Sequence, residues 1–204
     1  MRNQFSKLAL GIALLFLIVL LVTAISEILS RQWTRLGLTT LTIVCVFIPF
    51  AIVCLASHLN IRLPFSFPSV TLVFIMLAQY FGEFKNFYYV YCWWDLLLHS
   101  LFGSYVVIVS LSILQGTFRK RQEVTNLRFI VIELITAFSV TIALGTIWEI
   151  FEFLGDYFFK TSMVKGGLDD TLTDLMVKTT AALLTSIYLY IRSSSNIKLK
   201  DEIV

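Results

Sequence analysis

Charge is scarce in this chain: only 14% of its residues are Asp, Glu, Lys or Arg, while 58% are hydrophobic. A water-soluble domain carries charge on roughly a quarter of its residues, so the shortfall excludes a surface that faces water throughout. Cysteine is equally uninformative as a framework. Cys45, Cys54 and Cys92 form no C-x-x-C pair, which excludes a disulfide scaffold or a thiol-based metal knuckle and leaves them as core-filling residues. No G-x-S-x-G elbow, H-E-x-x-H helix or Gly-rich phosphate loop is present. Serine-nucleophile catalysis and nucleotide hydrolysis are therefore not expected. The net charge of +3 comes from short basic loops, with no Lys/Arg block interleaved with aromatics. Nucleic acid is thus not an expected partner, and membrane lipid is.

What the chain does have is long apolar runs. Six of them approach the roughly 20 residues needed to cross the hydrocarbon of a bilayer: about 8–26, 36–57, 64–82, 93–115, 129–153 and 170–191. Pro64 and Pro68 fall at the start of the third, where a missing N–H would have no helical partner anyway. The first run exceeds the roughly 7–15 residues of a signal-peptide core and reads as a retained helix. No internal repeat or long linker divides the sequence. The expectation is an all-α polytopic membrane protein, a bundle of about six transmembrane helices forming a single domain over 1–204.

Counting Lys and Arg orients it. With six spans both termini share a side, and that side holds ten basic residues, among them Arg119, Lys120, Arg121 and Arg128; the other holds five, including Lys160 and Lys165. The positive-inside rule then puts both termini in the cytoplasm.

Polar chemistry is confined to the second half. Asp95, His99, Glu133, Glu149, Glu152, Asp170, Asp174 and Lys178 lie in or beside the last three apolar runs. Each costs about 2.5–3.5 kcal/mol to insert, so function or pairing is the default explanation. Helix four begins, helix five ends and helix six begins on one side, which gathers most of these groups there. Asp95 and His99 are i,i+4; Glu149, Glu152 and Asp156 are i,i+3,i+7; Asp170, Asp174 and Lys178 are i,i+4,i+8. Each set occupies one helix face. At about 1.5 Å rise per residue, His99, Glu149 and Asp174 reach a common layer beneath the outer interface.

One imidazole among carboxylates suits a divalent metal. In that reading His99, Glu149 and Asp174 are ligands, while Asp95, Glu152 and Asp170 orient them or handle protons. Gly166-Gly167 lets the chain turn beside the site. The alternatives are a small proton- or ion-coupled carrier and a non-catalytic scaffold. In the scaffold Asp169 or Asp170 caps a helix dipole, Lys178 pairs with Asp174, and Asp95 bonds His99. Glu133, at the opposite face, is expected to pair with Arg128 or a loop cation. The aromatic run from Phe81 to Trp94 reads as an interfacial belt, with Gln79 and Glu83 as an outlying extension of the site.

Taken in order, Gly82-Glu83 with Tyr88-Tyr89, Trp93-Trp94-Asp95-x-x-x-His99-x-x-x-Gly103, Gly145-x-x-Trp148-Glu149-x-x-Glu152-x-x-x-Asp156 and Asp169-Asp170-Thr171-x-x-Asp174 resemble the YjdF-like family of bacterial inner-membrane proteins. A more distant similarity is to VanZ-like proteins, some of which are linked to glycopeptide resistance. The resemblance covers roughly the last 120 residues. It implies a bacterial plasma membrane and a shared polar site, and names no substrate. Lys178 stands outside the family pattern.

Overall fold

The computed structural model describes residues 6–117, 125–159, 164 and 167–201, and every regular element among them is helical. In chain order these are α1 (Lys7–Leu29), α2 (Trp33–His58), α3 (Phe67–Ile75), a π-helical stretch over Met76–Phe84, the single turn α4 (Phe87–Val90), α5 (Trp94–Thr117), α6 (Asn126–Phe159) and α7 (Leu168–Asp201). Among the described residues, five helices are long and apolar enough to cross a membrane: Lys7–Leu29, Arg35–His58, Phe67–Phe84, Trp94–Thr117 and Asn126–Leu154. The chain is an all-α polytopic membrane protein. α7, whose helix contains the expected span 170–191, falls outside those five, because Asp169, Asp170, Asp174, Lys178 and Arg192 interrupt its apolar residues.

Local chemistry sets the helix ends. Ser6 caps α1 by accepting from the Ala9 N–H at 3.0 Å, and its hydroxyl also meets that of Ser69 at 3.3 Å, near the start of α3. α1 closes with the Gln32 N–H donating to the Glu27 carbonyl, across Arg31 at φ 55°. α2 closes in the same way, Ile61 to Ala56 across Asn60 at φ 56°. A left-handed residue followed by such a long-reach bond satisfies carbonyls that the helix end would otherwise orphan. Within the spans, several hydroxyls are satisfied by their own helix: Thr23 donates to Val19, Thr42 to Leu38 and Thr141 to Ala137, whereas those of Thr39 and Thr71 are buried without a partner among the described residues. The own-helix bond disposes of polar groups that lipid cannot hydrate.

The third expected span, 64–82, is not one uniform α-helix. After Ile75 it widens into a π-helix through Gly82. Gly82 leaves no room for a β-carbon because the ring of Tyr88 covers it. The belt residues then pack on one another. Phe87 meets Tyr91 and Trp94, each at 5.0 Å between ring centroids, and Phe81 at 5.4 Å. Trp94 is buried, whereas Trp93 and Tyr89 are exposed.

The chain resolves into two compact units, Met1–Leu98 and His99–Val204, with the division inside α5. The core of the first unit is Phe16, Leu20, Val46 and Leu72 with Ala9 and Ala13; Tyr80 packs edge-on against Phe16 at 6.2 Å. The core of the second is made of small residues, Val107, Ala137 and Ala182. Small side chains let helices approach closely where lipid supplies no hydrophobic drive. In both units large apolar side chains such as Leu14, Val22, Ile135 and Leu184 are exposed, which suits a lipid surround and not water.

Candidate functional site

The polar residues of the second unit lie on three buried helical stripes. On α5 the stripe is His99, Gly103, Val107 and Ser110; on α6 it is Ala137, Thr141, Gly145 and Glu149; on α7 it is Asp174, Lys178, Ala182 and Ser186. The spacing is almost always four residues, one turn along a single face. Small residues and hydroxyls fill one part of each stripe and ionisable groups the other. His99, Glu149, Asp174 and Lys178 are all less than 9% exposed.

Two pairs form across the helices. His99 Nε2 lies 3.2 Å from Asp174 Oδ2, which joins α5 to α7. Lys178 Nζ donates to Glu149 Oε1, which joins α7 to α6. Asp174 therefore faces His99, and Lys178, one turn along, faces Glu149. The expected Lys178–Asp174 pair is replaced by this exchange. The Asp174 carboxylate turns toward the imidazole, and the long Lys178 stem runs past Gly145 to reach the carboxylate one turn beyond.

Two glycines make the passage possible. A β-carbon on Gly145 would stand 3.3 Å from Lys178 Cδ, tighter than ordinary contact. A β-carbon on Gly103 would collide with the Lys178 main-chain carbonyl. Lys178 is thus seated between the glycines of α5 and α6. Gly103 and Gly145 belong to the spaced motifs noted above, and their i,i+4 relation to His99 and Glu149 was a signal that a bulky neighbour crosses there.

Glu149 is only half satisfied. Lys178 occupies Oε1, whereas Oε2 is buried and has no hydrogen-bond partner among the described residues. Such an orphaned carboxylate oxygen is costly in a dry interior. Glu152, half-buried on the next turn of α6, accepts from the indole N–H of Trp148 at 2.8 Å. It lies within range of the charges on Glu149, His99 and Lys178.

The remaining candidates are placed as follows. Asp95 is half-buried in the first turn of α5, one turn before His99 on the same helix. Asp170 is half-buried in the first turn of α7, one turn before Asp174. Gly167 adopts φ 68° and its carbonyl accepts from the Thr171 N–H at 3.2 Å, opening α7. Gly166, Lys160, Lys165 and Arg119–Arg121 lie outside the described residues, as does the side chain of Asp156. Glu133 is buried, and its side chain hydrogen-bonds that of Gln115 and not Arg128; the loop cations that are its other expected partners lie outside the described residues. α6 begins at Asn126, so Glu133 is two turns inside the helix, where it meets Gln115 of α5.

The family model described as "Predicted membrane protein (DUF2238)" matches residues 8–195. A relative described as an uncharacterized protein of Thermotoga maritima is 33% identical over 103 residues, half of this chain. The chain likewise spans about half the length of that relative. No solved structure matches the chain.

Proposed function

The chain belongs to this DUF2238 family of membrane proteins, and from that premise we propose that its α5–α7 site binds a divalent cation and uses it on a lipid-linked or envelope substrate. The observation that carries the reading is the approach of His99 Nε2 to Asp174 Oδ2 at 3.2 Å; Glu149, whose Oε2 is buried without a partner among the described residues, is proposed as a third ligand. Two ligand atoms, each about 2.0–2.2 Å from one tetrahedral ion, stand about 3.3–3.6 Å apart. A nitrogen with carboxylate oxygens is a donor set suited to Zn or Mn. Lys178 offsets the charge of Glu149 and holds that carboxylate in place, and the second oxygen is the one proposed to meet the ion. Asp95 and Asp170, one turn before His99 and Asp174 on their own helices, orient those ligands or handle protons. Glu152, steadied by Trp148, is a further acid–base group within range of these charges. The ion would polarise a phosphoryl oxygen or lower the pKa of a bound water.

The location proposed with this is a bacterial plasma membrane with both termini cytoplasmic, on the ten-to-five distribution of basic residues. That places the site toward the outer face, where lipid-linked envelope intermediates are met. Metal analysis of the purified full chain, wild type against His99→Ala, tests the reading. Wild type should carry a stoichiometric divalent ion and the variant should lose it; a wild type that takes up no ion after metal reconstitution sinks the proposal.

One observation favours a second reading. The Lys178–Glu149 pair ties α6 to α7 without any ion, as a scaffold fixing helix register with buried charge requires. Under that reading His99 and Asp174 bond each other directly, and chelation leaves stability unchanged.

A further inference from the structure

The first unit contains a buried carboxylate that no described cation neutralises. Glu27, in the last turn of α1, is 4% exposed, and both of its carboxylate oxygens are closed off from solvent without a hydrogen-bond partner among the described residues. Thr39 of α2 is 2% exposed, and its hydroxyl is orphaned in the same way. Thr40 and Thr42 donate to the carbonyls of Leu36 and Leu38, one turn back on their own helix; Thr39, between them, leaves that bond unmade. Glu27 and Thr39 also stand at one level. Leu20 and Val46 belong to a single core cluster, and Glu27 follows Leu20 by seven residues as Thr39 precedes Val46 by seven. Seven residues are close to two full turns, so each group stays on the face of its core neighbour. α1 and α2 run in opposite directions through the short turn at residues 30–32, so the two displacements have one sense, about 10 Å along the axes.

The cations at this end of the unit are directed elsewhere. Arg35 lies over the ring of Phe84 at 5.9 Å, and Lys85 over Phe84 and Tyr80 at 5.5 and 5.6 Å. Arg31, in the turn, is exposed. We propose that the missing partner is a sodium ion, held between α1 and α2 by the Glu27 carboxylate and the Thr39 hydroxyl. Oxygen donors of this kind suit hard cations. One buried carboxylate balances one positive charge; a divalent ion leaves net charge in an apolar interior, where it is costly. The close cover over all three oxygens favours the smaller of the common monovalent cations. Position on the helix adds to this, because the carbonyls at a helix C-terminus carry partial negative charge and such ends coordinate sodium in membrane transporters. The site is built from the first unit alone and uses no residue of the His99–Asp174 centre.

The test uses the full chain, purified in a non-ionic detergent, exchanged into choline chloride and titrated with sodium, potassium or magnesium chloride at constant ionic strength. Thermal melting and retention of radioactive sodium are read together. Sodium should raise the melting temperature saturably. Potassium should need about ten times the concentration or more, and magnesium should not displace the label. Glu27→Gln should lose both the sodium response and the retention, and in choline it should melt no lower than wild type, because the uncompensated charge has gone. Thr39→Val, which keeps the carboxylate, should weaken sodium about tenfold, and Thr39→Ser should bind as wild type does. His99→Ala should keep the full response. A wild type indifferent to sodium, an equal response to sodium and potassium, or a Glu27→Gln variant that retains sodium as wild type does overturns the proposal. A melt that shifts with pH through Glu27 and not with sodium puts a proton in the place of the ion and overturns it too.

Discussion

The main-chain carbonyl of Lys178 occupies the space that a side chain on Gly103 would need. α5 and α7 touch backbone to backbone at this point, and the ionisable end of Lys178 is directed to the other side, past Gly145 to Glu149. The two glycines differ in what opposes them. At Gly103 it is main chain, which cannot yield; at Gly145 it is the third carbon of a flexible side chain.

That difference predicts unequal costs for the same substitution. Gly103→Ala should destabilise the protein by about 1–3 kcal/mol through overpacking, and Gly145→Ala by less, since Lys178 Cδ has only to move a few tenths of an ångström. Thermal melting of both variants in the same detergent checks the order. Equal losses, or a larger loss at Gly145, would refute the backbone contact at Gly103.

The crossed pairing is tested by a double-mutant cycle. Glu149→Gln alone and Lys178→Met alone should each cost about 3–5 kcal/mol, because each strands a buried charge. Combined, they should recover a large part of the sum, since both charges leave together. The same cycle between Asp174→Asn and Lys178→Met should show little coupling. Strong coupling there would restore the pair that helix spacing alone suggests.

Metal removal gives a third outcome. If His99, Asp174 and the free oxygen of Glu149 hold an ion, chelation should lower the melting temperature of wild type and leave His99→Gln where it was. An ion present at a hundred times its dissociation constant stabilises by about 2.7 kcal/mol. The melts are to be run with and without chelator, then with Zn or Mn restored. A wild-type protein indifferent to both treatments supports the scaffold.

Topology is the fourth. On a background without Cys45, Cys54 and Cys92, Thr125→Cys should react with a thiol reagent only from the cytoplasmic side and Leu168→Cys only from outside. Both positions are exposed at the ends of their helices. Reversed labelling would move the polar site to the inner face and end the envelope reading.

The sequence by itself determined the class of protein and the side on which the chemistry gathers. Runs of about 20 apolar residues become helices because a helix satisfies its backbone within one segment, as lipid requires, and simple alternation of crossings brings Trp94–His99, Glu149–Asp156 and Leu168–Asp174 toward one face. The one-face spacing of Asp170, Asp174 and Lys178 was legible for the same reason, since a helix has a fixed period. Only the tertiary structure decided who meets whom. Asp174 and Lys178 are neighbours on α7, and periodicity pairs them; rotation of α7 against α5 and α6 turns one to His99 and the other to Glu149. Glu133 shows the same limit: nearness in sequence suggests Arg128, whereas helix packing buries it against Gln115. The widening of the third span into a π-helix after Ile75 was likewise invisible to a count of apolar residues. Helix period is a property of one chain segment, but the rotation of each helix about its axis is set by the small residues, Gly103, Gly145, Ala137 and Ala182, on which its neighbours close.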